Sequence, residues 1–189
     1  MKYKQVLIPE FGHRGVLPPF LGDPLNPSGY SPYHVDMVQL ARRFQFSEER
    51  KKILRGFLAF RKTLASLGLK RGFQWVDGSF VEDREPADLD LVNFIYPSET
   101  GKEVAQMEKT FDEHQLLSPH SVPRYCCDSF FVDLDRAQIE KVVKNAVYWY
   151  GLFSHQRHTT DWKGMVQVPL FSPQEDREAS LLLEGEPLT

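Results

Sequence analysis

Gln74-Trp75-Val76-Asp77-Gly78-Ser79-Phe80, followed by Asp88-Leu89-Asp90-Leu91-Val92, decides how this chain is read. The first stretch predicts a strand, Phe73 to Val76, entering a tight Gly-Ser turn. The second opens another strand, Asp88 to Tyr96, reached through the polar loop Val81-Glu82-Asp83-Arg84-Glu85-Pro86. Side chains two apart on a strand share a face, so Asp88 and Asp90 point one way while Leu89 and Leu91 point into the core. Carboxylates on a strand that carries Leu91, Val92 and Phe94 are costly unless metal or hydrogen bonds satisfy them, so the pair is predicted to ligate metal.

Gly78 lets the backbone approach a ligand closely and exposes its N–H, and Ser79 adds a hydroxyl. The two are predicted to hold the β- and γ-phosphates of a nucleoside triphosphate, ATP among the candidates. Transfer from a triphosphate needs the phosphate charge neutralised and an acceptor oxygen activated, which two divalent ions roughly 4 Å apart accomplish. Mg²⁺ or Mn²⁺ is therefore the expected cofactor. A third carboxylate should project from a neighbouring strand, and Tyr125 to Leu134 reads as that strand. Asp128 lies inside its pattern and is the expected third ligand. Asp133 is the alternative, although it and Asp135 sit where helix capping explains them. Arg157 and Lys163 are candidate cations for the triphosphate.

Outward from this centre, residues 1–32 hold six of the 13 prolines and form an extended arm expected to pack on the body through its Phe, Leu and Tyr residues. Residues 33–171 form the main domain. A short helix is expected over Tyr33 to Phe44. Ser47 caps a longer amphipathic helix with Ile53, Leu54, Phe57, Leu58, Leu64 and Leu67 on its apolar face, stopped by Gly68. Helices are also predicted over about 102–117 and from Ile139 to Leu152, with a break at Ser118 to Pro123 and a last strand at Met165 to Leu170. The tail, 172–189, carries one helix whose Leu181, Leu182 and Leu183 dock on the body or on a partner. This order predicts an α+β fold, a small mixed β-sheet flanked by helices.

The 189 residues are enough for one self-sufficient core, and the formal charge of −3 argues against strong DNA binding. The N-terminus lacks a signal-peptide core and no window reaches the length of a membrane span, so a cytoplasmic protein is expected, without membrane association. Cys126 and Cys127 are adjacent and read as apolar filler in a strand. Neither they nor His155 and His158 show finger-like spacing, so zinc is not expected. Trp75, Trp149 and Trp162 read as core or platform residues in preference to base-stacking groups.

The chain resembles the nucleotidyltransferase superfamily that includes DNA polymerase β, the minimal nucleotidyltransferases and the aminoglycoside-modifying enzymes, through Gly78-Ser79, Asp88-Leu89-Asp90 and Asp128. Within it the chain is similar to an uncharacterised set of small bacterial and mobile-element proteins. That likeness rests on Val16-Leu17-Pro18-Pro19, Arg43-Phe44, Trp75 to Val81, Pro86 to Asp90 and Lys163-Gly164-Met165, and spans about residues 16–168. The resemblance implies a nucleotidyltransferase-like fold and Mg²⁺-dependent transfer of a nucleoside monophosphate to a hydroxyl acceptor. It also implies, as in several relatives, a place in toxin–antitoxin or phage-defence systems. RNA, a protein hydroxyl and a small molecule all stand open as acceptor. The alternative is an inactive nucleotide- or partner-binding module of the same fold, suggested by the Pro-rich arm and Leu-rich tail.

Overall fold

The computed structural model describes residues 7–156, 159 and 161–185. Five strands, β1 (Tyr33–His34), β2 (Gly72–Asp77), β3 (Leu89–Ile95), β4 (Cys127–Asp133) and β5 (Val166–Pro169), form one sheet in the order β1-β5-β2-β3-β4. β2 runs antiparallel to β3 and β5, while β1 with β5 and β3 with β4 are parallel. Among the described residues six helices accompany it: α1 (Met37–Phe44), α2 (Glu48–Ser66), α3 (Val104–Glu113), α4 (Ser121–Tyr125), α5 (Ile139–Phe153) and α6 (Pro173–Glu184). The expected α+β class with a mixed sheet is present.

One face of the sheet is thickly covered. Ser47 accepts the Arg50 N–H at the start of α2, and the helix turns Ile53, Leu54, Phe57, Phe60 and Leu64 inward. These pack with Leu40 and Phe44 of α1, Ala179 and Leu183 of α6, and the sheet residues Val76, Leu89, Leu91 and Val168. A polar seam crosses this face: Gln74 Nε2 donates to Asn93 Oδ1 at 2.7 Å, and Asn93 Nδ2 donates to Ser129 Oγ at 2.9 Å. Buried Arg61 closes the seam, reaching Gln74, the Pro169 carbonyl at 2.7 Å and the Asp176 carboxylate at 2.8 Å. The opposite face, with Trp75, Val92, Phe94 and Val132, packs against α5 through Phe153 and against Met165.

Two expected boundaries shift. Tyr33 and His34 form a strand and not the first turn of a helix, because the Tyr33 and Val35 amides donate to Met165 and Gln167 across to β5. Helix α1 waits for Asp36, whose side chain accepts the Gln39 N–H while the Gln39 side chain accepts the Asp36 N–H, a reciprocal cap. The expected break before β4 contains α4, in which Pro123 is tolerated because the first turn of a helix has no partner for its N–H. The tail's Ala179 and Leu183 are buried against the body, and Ile8, Val16 and Leu17 of the arm are buried as well.

Candidate functional site

β2 alternates Phe73, Trp75 and Asp77 on the α5 face, and β3 alternates Asp90, Val92 and Phe94 on the same side. The register sets Asp77 directly across from Asp90, and Asp90 directly across from Asp128 on β4. Three carboxylates thus stand side by side across three adjacent strands, with Asp88 two residues upstream on the same side. All four border a cleft of about 450 Å³, together with Gly78, Ser79, Glu82, Arg84, His155 and Lys163. Like charges directly opposite one another destabilise a sheet, so this row is a cost that folding alone does not explain.

The turn after β2 is shaped around the row. Gly78 adopts φ +77°, open to few residues with a Cβ, and begins a 3₁₀ turn over Gly78–Val81. A Cβ added there would lie 1.7 Å from Asp90 Oδ2. The glycine therefore makes room for the Asp90 carboxylate as well as for the backbone. Ser79 follows, half-buried at the cleft wall.

Two buried cations hold this turn from beneath. Lys163 Nζ lies 3.2 Å from Asp77 Oδ2 and 3.1 Å from Glu82 Oε1, the residues flanking the turn, and donates to the Gly78 carbonyl at 3.3 Å. Arg50, fully buried, donates to the carbonyls of Phe80 at 2.7 Å, Glu82 at 2.6 Å and Arg84 at 2.7 Å. Burial pushes the Asp77 carboxyl up to about 7, against the pull of Lys163 and with a further push from Asp90. Its Oδ1 is buried without a hydrogen bond. Burial also pushes Glu82 up, but Lys163 and Arg84 together outweigh it and hold that carboxyl below its ordinary value.

The structure brings Gly78, Ser79, Asp88, Asp90, Asp128 and Lys163 to one place. Asp133 lies elsewhere: its Oδ1 accepts the amides of Asp135 and Arg136 in a local turn, not at the expected helix cap, because α5 starts only after Gln138. Lys163 touches the cleft, yet its charge is engaged with Asp77 and Glu82, which makes it a brace for the turn and not an open phosphate clamp. Arg157 and His158 lie outside the described residues. Asp77 and Glu82 are additions to the site. For Asp77 the signal was available, since it continues the Phe73, Trp75 alternation onto the face of Asp90.

Among the described residues, no group of three or more His, Cys, Asp or Glu side chains is placed to hold a metal ion. An open row still suits Mg²⁺, which keeps several waters and is held by one or two carboxylates together with substrate phosphates. Among the described residues the lining has five carboxylates and two cations, Arg84 and Lys163. Cys127 is buried in the core on the far face, as expected of filler. Among the described residues, no helix is long and apolar enough to cross a membrane.

A family profile described as a family of unknown function, DUF6932, matches residues 9–169. No curated protein and no solved structure matches the chain.

Proposed function

The chain belongs to that family of unknown function, so its activity has to be read from the site, and we propose that it is an Mg²⁺-dependent nucleotidyltransferase. One observation carries the proposal: Asp90 and Asp128 stand in cross-strand register with Asp88 beside them, and the Asp90 carboxylate fills the space left by the missing side chain of Gly78. Asp88, Asp90 and Asp128 would hold the metal, which when bound neutralises phosphate charge and lowers the pKa of an acceptor oxygen. Gly78 and Ser79 hold the β- and γ-phosphates through a backbone N–H and a hydroxyl. The acceptor oxygen attacks the α-phosphorus, the bond to the bridging oxygen breaks, and pyrophosphate leaves. Asp128 takes the acceptor proton on a carboxylate oxygen. Lys163 and Arg50 keep the turn rigid while this happens.

The test is incubation with α-labelled nucleoside triphosphates, Mg²⁺ or Mn²⁺ and RNA, protein and small-molecule acceptors. Label should move to one acceptor class, and Asp88→Asn or Asp90→Asn should lower the rate by at least about a hundredfold, the scale of losing an electrostatic stabiliser. Transfer indifferent to both substitutions, or none with any acceptor, contradicts the proposal.

A partner-binding module is the second reading, and one feature favours it. Ile139, Val143 and Val147, spaced four apart along α5, are all more than half exposed, with Tyr148 beside them. The arm and tail, by contrast, spend much of their apolar surface on the body.

A further inference from the structure

A second depression, of about 680 Å³, lies against the first. Trp75, Ala146, Val147, Tyr150, Gly151 and Trp162 give it an apolar lining, and Ser154 and His155 add polar edges. His155 borders both cavities, so they meet at one side chain. Its Nδ1 lies 3.1 Å from the Gly151 carbonyl, which only accepts. Ser154 Oγ lies 3.0 Å from the same Nδ1, so two partners hold the ring where the cavities join.

Of the three tryptophans read as core or platform residues, Trp162 is the most exposed. Trp75 is buried, with its Nε1 donating to Gln167 at 2.9 Å, and Trp149 is half-buried against Phe130. Trp162 is 43 % exposed. It is not loose, because Phe20 and Tyr30 of the arm, stacked on each other at 5.2 Å, each brace it at 5.8 Å. A braced, exposed indole loses little side-chain entropy when a ring stacks on it. Apolar walls with a few polar groups at the edge are what a planar heterocycle requires.

We infer that this depression receives the nucleobase of the triphosphate, stacked against Trp162 and edged by Ser154 and His155. The inference rests on the nucleotidyl-transfer reading, which puts phosphates in the adjoining cleft. It also gives the arm a function, since Phe20 and Tyr30 hold the platform.

Calorimetry with Mn²⁺ and two ligands tests it: α,β-methylene-ATP, which cannot transfer its nucleotide, and inorganic tripolyphosphate, which has no base. The ATP analogue should bind about tenfold tighter, the scale of one base–aromatic contact. Trp162→Ala should abolish that advantage and leave tripolyphosphate affinity unchanged. Gly151→Leu should do the same by filling the depression. An added Cβ there meets no atom within 4 Å, and replacing a helical glycine favours the helix, so this variant guards against misfolding. Equal affinity for the two ligands, or an advantage that survives both substitutions, overturns the inference. Substitutions that leave ATP-analogue binding intact but raise the KM for an acceptor also overturn it, and assign the depression to the acceptor's ring. Tripolyphosphate binding that needs Asp88 but gains nothing from a base defeats this inference alone. Failure of both ligands to bind defeats the nucleotidyl-transfer reading with it.

Discussion

The two faces of the sheet are built to different standards. Under α2 the sheet meets a helix with seven buried residues out of 19, including the two buried arginines, while α5, 15 residues long, has Phe153 as its one buried residue. The thick face pairs its polar groups: Gln74, Asn93, Ser129 and Arg61 form a continuous seam. The thin face sets Asp77, Asp90 and Asp128 side by side and leaves Asp77 Oδ1 without a hydrogen bond. One face spends its side chains on stability, and the other carries an electrostatic cost that the proposed cation would relieve.

The contrast is sharpest in paired truncations. Phe60→Ala removes a fully buried ring from the thick face and should cost about 3–5 kcal/mol in urea unfolding. Trp149→Ala removes a larger ring from the thin face, yet should cost less than about 2 kcal/mol because that ring is only half-buried. Equal costs would erase the distinction.

A smaller effect, dependent on pH, belongs to the brace under the turn. Lys163→Met leaves Asp77 and Glu82 buried without their shared cation and should cost about 3 kcal/mol at about pH 8. Asp77 carries its proton up to about pH 7 in the fold but only to about 3.8 in the unfolded chain. Between those values the folded state holds a proton that the unfolded state has lost. The Asp77 contribution to stability therefore falls as pH rises through that window and levels off above it. The Lys163→Met deficit should accordingly shrink when unfolding is measured at about pH 5.5, where Asp77 is neutral. A deficit that stays constant across this range would show that the brace does not act through Asp77.

The elements of the site differ in how far they could be read from sequence. Asp88, Leu89, Asp90 and Leu91 announce their faces by local alternation, and the Gly-Ser turn announces itself by residue type. Asp128 follows from a strand pattern, and its register with Asp90 is a sheet property that local pattern does not reveal. Glu82 lies in a stretch that reads as an exposed polar loop. It is buried because Lys163, 81 residues further on, provides its counter-charge. The same holds for Arg50, which looks like one more polar residue in the first turn of α2 but reaches the Phe80 carbonyl. The short strand β1 escapes periodicity because two residues carry no period, and only its pairing with β5 defines it.

Nucleotidyl transfer as proposed requires that the carboxylate row of the thin face bind a divalent cation. Mn²⁺ titration followed by electron paramagnetic resonance, in the presence of tripolyphosphate, tests it on the wild type and on the Asp88→Asn, Asp90→Asn double variant, with urea unfolding of both in parallel. The wild type should bind Mn²⁺, and the double variant should lose at least about a hundredfold in affinity while still unfolding cooperatively. Mn²⁺ binding of equal strength in both proteins, or none in the wild type, contradicts it.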